Sequence, residues 1–155
     1  MIVSKPIFSA GLLFSHLPHA QVALVRKDKH RHFMNRYNAI IDEVNENELP
    51  LDAMTRIFKE ETSVEFTGWQ EAIILECPHI VIHFYRGFCT TSLWNIVAQK
   101  DEDIHFLTAS RVFDLDVVSN LRWIIPLMLD DTIRMPIHVN DVVMEIHKGP
   151  PDQGS

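Results

Sequence analysis

The segment Asp42–Val64 constrains this chain most, because it sets an acidic stretch directly against a helix with a defined start. The run Asp42-Glu43-Val44-Asn45-Glu46-Asn47-Glu48 follows a short apolar strand read over Tyr37–Ile41. Pro50 suits the first turn of a helix, where its missing N–H costs nothing. Leu51, Met54 and Phe58 recur at spacings of three and four, a core-facing stripe, and the helix should end near Thr62-Ser63. One turn apart on this helix are Arg56 and Glu60, and Ile57 is one turn from Glu60 and Glu61. Carboxylates grouped in this way suit Mg²⁺ or Mn²⁺, which take a few carboxylates plus substrate phosphate. The same residues also fit a solvated, salt-bridged face with no site at all.

Around this segment the chain alternates between strands and helices. Ile7–Phe14 and Gln21–Arg26 read as strands joined by a turn around Leu17-Pro18-His19. The basic stretch Lys27–His32 reads as a loop, either a phosphate contact or an exposed hairpin end. Glu71–Glu76 and Ile80–Phe88 read as strands broken at Cys77-Pro78, and Ser92–Ala98 as another. A charged loop covers Gln99–Asp103, and a second helix runs from Asn120 to about Asp130. Leu121, Ile124, Ile125 and Met128 share one side of it, and Pro126 should kink it or split it into two short pieces. Ile137–Ile146 is expected to form a last strand. Without a regular βαβ beat, the order points to an α/β sandwich on a mixed sheet.

At 155 residues the chain fits one domain, expected over 1–148, with 149–155 as a disordered tail. Its formal charge of −7 offers no electrostatic footprint for duplex nucleic acid. An acidic protein that binds phosphates usually needs a bridging cation, so the charge favours a metal site, although solubility explains it equally well. Cys77 and Cys89 are expected to be buried free thiols. No apolar run long enough to span a membrane and no signal peptide is seen, so a cytoplasmic location is expected. The nine histidines lack metal-ligand spacing, and no site is assigned to them. An acidic, apolar-rich chain of this kind is also a possible homodimer.

The spacing within Asp42–Val64 resembles the signature of the Nudix family. That signature places Glu six residues after a Gly. Eight residues later comes Arg-Glu, then a bulky residue, any residue, Glu-Glu, any residue, Gly and a bulky residue. Glu48, Arg56, Glu60, Glu61 and Val64 stand at signature positions, and Phe58 fills a bulky slot. The lead-in LPLDAMTRIFKEET is similar to the family's habitual proline, two residues, alanine and helix. Asp42, Ile57 and Ser63 depart from it, replacing a Gly, a Glu and a Gly.

The resemblance implies a Nudix-like α/β/α sandwich with a mixed β-sheet. It further implies Mg²⁺- or Mn²⁺-dependent hydrolysis of the diphosphate linkage of a nucleoside triphosphate or nucleotide derivative. Glu60 and Glu61 would hold metal, and Glu48 would pair with Arg56 to brace the loop against the helix. Ile57 removes a third carboxylate and makes the pocket more apolar, so metal affinity should fall. Asp42 either reaches in as a replacement ligand or only caps the loop, and it tolerates the φ > 0 that a glycine would permit. Glu102, within Asp101–Asp103, is the candidate general base, unless that loop is only a charged surface. Asn120 either reads a purine edge with its amide, or Ser119 or Asn120 serves as an ordinary helix N-cap. Three readings follow: an active hydrolase, an impaired domain that binds or senses a nucleotide, and an unrelated α/β interaction protein.

Overall fold

A computed structural model describes residues 4–16, 20–26, 36–98 and 103–144. Along the chain run β1 (Ile7–Phe14), β2 (Gln21–Val25), β3 (Ile40–Glu43), α1 (Pro50–Thr62), β4 (Gln70–Glu76) and β5 (Val81–Phe88). Then come α2 (Thr91–Ala98), β6 (Ile104–Thr108), a 3₁₀ turn (Ala109–Asp114), α3 (Leu121–Met128) and β7 (Ile137–Asn140). The seven strands form one sheet in the order β6-β2-β1-β5-β4-β7, with β3 also pairing with β1. Pairs β1–β5 and β4–β7 are parallel and the others antiparallel. One edge of β1 is therefore divided: β3 pairs along Phe8–Gly11 and β2 along Leu13–Phe14.

β1 is buried from Phe8 to Phe14, as the apolar run IFSAGLLF requires of a central strand covered on both faces. Its alternate residues serve two cores. Ala10, Leu12 and Phe14 join Phe84, Ile124, Ile125 and Met128 beneath α3. Leu13 joins Met54, Ile57, Phe58, Trp69, Trp94 and Val97 beneath α1 and α2. Helices thus cover both faces of a mixed sheet. Gly87 of β5 makes room for the second core: a Cβ there would lie 2.6 Å from Phe66 and 3.2 Å from Trp69.

Several sequence expectations change in detail. Ser92–Ala98 belongs to a helix rather than a strand, with Trp94 and Val97 turned inward and Ile96 46% exposed. A short apolar run does not distinguish the two states by itself. β6 lies in a segment read only as the sequel to a charged loop. At Tyr37 and Asn38 the chain forms isolated bridges to Val117 and Val25, and strand β3 proper is Ile40–Glu43. Leu51 is 46% exposed, so the buried stripe of α1 is Ala53, Met54, Ile57 and Phe58. Pro126 sits inside one short helix, near its end, instead of dividing it into two pieces. The last strand stops at Asn140, and Asp141 turns the chain with φ 60°. The turn at 17–19, the basic stretch 27–32 and the tail 149–155 lie outside the described residues. Both cysteines are buried free thiols, and no helix among the described residues is long and apolar enough to cross a membrane.

Candidate functional site

β3 delivers the acidic stretch to the start of α1 through a tight turn. Asn47 takes φ 66°, and the Glu48 carboxylate folds back to accept the Asn45 N–H at 2.9 Å. Arg56, two turns into the helix, then meets Glu48 with both edges of its fork. Its Nε donates to Oε2 at 2.8 Å and its Nη2 to Oε1 at 3.0 Å. Nη2 also donates to the Glu43 carbonyl and Nη1 to Glu60, each at 3.1 Å. One guanidinium therefore ties the end of β3, the turn and the helix together.

The Arg56 hydrogen bonds hold the Glu48 carboxyl below the usual carboxylate range, and Glu48 pushes the guanidinium further up. Their side chains are 17% and 27% exposed, so this bidentate pair is partly shielded. Glu60 is 59% exposed, and its contact with Arg56 contributes about 0.3–0.5 kcal/mol.

The helix ends where the signature has its closing glycine. Ser63 occupies that place in the left-handed region, φ 64° and ψ 16°, and its N–H caps the Lys59 carbonyl. The position requires the conformation that glycine adopts most freely, and a serine there bears the strain. Asp42 is different. It lies in β3 opposite Ser9, outside the positive-φ residues, and is exposed. Its Oδ1 accepts the Glu43 N–H at 2.7 Å, a local cap.

Ile57 faces inward. It is 4% exposed, within the apolar core beneath α1 and α2. Glu60 and Glu61 stand on the outer part of the helix, exposed and half-buried. Among the described residues no three His, Cys, Asp or Glu side chains come together as a metal cage. Glu60 and Glu61 are the two neighbouring carboxylates at this end of the helix.

Of the other expected residues, Glu102 lies outside the described residues. Asn120 occupies the N-cap position of α3 with no side-chain capping hydrogen bond, and its Nδ2 donates to the Val143 carbonyl at 3.2 Å. The segment before it is locked to Tyr37, whose N–H donates to the Asp116 carbonyl and whose carbonyl accepts from Val118. Arg26 lies 5.1 Å over the Tyr37 ring, and His105 meets that ring edge-on at 5.3 Å.

Chains of known structure share this architecture at low sequence identity. A mutT/nudix family protein from Listeria innocua matches with TM-score 0.67 and 15% identity, over 81% of this chain and 92% of that one. This chain has the Nudix fold. The NUDIX domain of Shewanella oneidensis NrtR, complexed with ADP ribose, matches at 0.65 and 12%, over 85% and 91%. The Ap4A hydrolase of C. elegans matches at 0.61 and 9%, over 80% and 96%. No family model matches the chain, and no curated protein sequence matches it either.

Reading the Nudix signature alone misses a polar group on the sheet beneath α1, formed by Glu71, His83 and Tyr85. The hairpin alone carried no signal for it: unbroken pairing from Glu76 and Val81 would set Glu71 opposite Arg86, and the irregularity between Glu71 and Ile73 moves it opposite Tyr85.

Proposed function

We propose that this chain is a nucleotide-binding Nudix-fold domain whose hydrolytic chemistry is weak. The observation that carries this reading is Ile57, buried at 4% exposure where the signature places a carboxylate. Substitution by Ile removes an oxygen ligand and packs the position into the core, so two carboxylates must serve alone. The bound ADP ribose in the similar NrtR domain supports a nucleotide as the ligand class. Asn120 and the Tyr37–His105 corner would receive the base, the first by its amide and the second by ring contact.

Hydrolysis is the second reading, favoured by the intact Glu48–Arg56 brace. Mg²⁺ or Mn²⁺ brought in with the phosphates would be held by Glu60 and Glu61, with Asp42 as a further oxygen, and would neutralise developing charge. Arg56 would keep Glu60 in place, and Glu102 would be the base.

Calorimetry with ADP-ribose and nucleoside triphosphates, with and without Mn²⁺, tests the first reading alongside product analysis on the same samples. Binding with slow or absent turnover is expected. Rapid turnover that disappears in the Glu60→Gln, Glu61→Gln double variant would replace it with the second reading. Absence of nucleotide binding would remove both.

A further inference from the structure

The bulge between Glu71 and Ile73 places Glu71 on the same sheet face as Tyr85 and His83. The Glu71 carboxylate lies 2.6 Å from His83 Nδ1, and burial, together with this carboxylate, pushes the Tyr85 hydroxyl well above its usual range. A carboxylate only accepts, so in the neutral ring the proton sits on Nδ1 and Nε2 is the nitrogen that offers a lone pair. Nε2 has no hydrogen-bond partner among the described residues. The His83 side chain is 19% exposed, so part of the ring reaches solvent.

Strand register supplies a second imidazole. His83 lies opposite Ile74, and Ile74 lies opposite His138 of the edge strand β7. Register partners share a face, so His83 and His138 stand on the same side, two strand spacings or roughly 10 Å apart. Imidazoles leaning over Ile74 can close that gap on a metal ion, with each Zn–N bond adding about 2 Å. Glu71 and Asp52 both act electrostatically on the Tyr85 hydroxyl, so the local charge favours a cation over phosphate.

We propose that His83 and His138 form a two-histidine site for a divalent transition metal such as Zn²⁺, completed by water. Glu71 orients His83 as carboxylates orient metal-ligating histidines elsewhere. Nitrogen ligands separate this site from Glu60 and Glu61, whose oxygens suit harder cations. Bound metal would staple the edge strand β7 to β5 across β4. The proposal is independent of any nucleotide chemistry.

Zn²⁺ titration of the chelator-stripped full chain, by calorimetry and by thermal unfolding, tests it. Wild type should bind Zn²⁺ and gain thermal stability. His83→Ala and His138→Ala should each lower the affinity at least tenfold, and Glu71→Gln should lower it by about 10–100-fold. His138 is exposed, so its variant keeps the fold even if the His83 variant does not. Wild-type affinity in the His138 variant, or in a folded His83 variant, overturns the proposal, as does an absence of Zn²⁺ binding to the wild type.

Discussion

The two sides of α1 answer to different demands. On the outer side, Glu48, Arg56 and Glu60 keep a polar network whose members touch β3, the turn and the helix. On the inner side, Ala53, Met54, Ile57 and Phe58 are all under 5% exposed and pack on Trp69, Trp94 and Val97. The outer network would hold its shape with or without catalysis, because it fastens the turn to the helix. The inner side holds Ile57, packed into the core one turn before Glu60 and Glu61. Charge on the outer side of this helix therefore serves the architecture first, by tying β3 and the turn to α1.

Ile57→Glu would break the contrast most directly. A carboxylate restored by sequence logic would enter an apolar core, losing about 1.5–3 kcal/mol of burial and incurring a polar desolvation cost of similar size. We expect about 3–5 kcal/mol of destabilisation in urea unfolding, without a gain in turnover. A stable, more active Ile57→Glu protein would mean that the inner side opens to solvent.

Next in size is Gly87→Ala, which pushes a Cβ against the Phe66 and Trp69 rings. It should cost about 1–3 kcal/mol. Gly11→Ala should cost less, because the nearest atoms, at 2.6 and 2.8 Å, belong to the flexible end of Met54. Equal losses in thermal unfolding would show that the packing beneath α1 yields as a whole.

On the outer side, Glu48→Gln should cost about 1–2 kcal/mol at neutral pH. Its carboxyl is held below the usual range in the fold, chiefly by Arg56. The contribution is therefore present above the ordinary carboxylate range and fades as pH falls through the lowered value. Wild type and variant should converge in strong acid, and a difference that persists there would remove the ion pair as its source. Tyr85→Phe should have the smallest effect, about 1 kcal/mol, by removing a hydroxyl that interacts with Glu71. Chemical denaturation of both proteins at one pH measures it.

Much of the fold was legible because its longest elements repeat strongly. β1 is one apolar run, Pro50 starts α1, and Cys77-Pro78 divides β4 from β5. The brace was legible for the same reason, since spacing along one turn and one helix places Glu48 near Arg56. What eluded the sequence depends on distant pairing. Nothing local tells that Asp42 lies opposite Ser9, or that His83 and His138 flank Ile74. The burial of Ile57 against residues of α2 required knowing that Ser92–Ala98 is helical, and eight apolar-rich residues leave that undecided.

The parallel pairing of β1 with β5 also sets an order in time. As the ribosome releases the chain, β1 emerges first, yet the strand with which it is registered along its whole length emerges only after α1 and β4. Until then Leu12, Leu13 and Phe14 must wait beside β2 and β3, which together occupy only the opposite edge. A nascent chain stopped before Val81 would thus display a long, apolar, unpaired strand edge, the kind of surface that chaperones bind and that aggregates recruit.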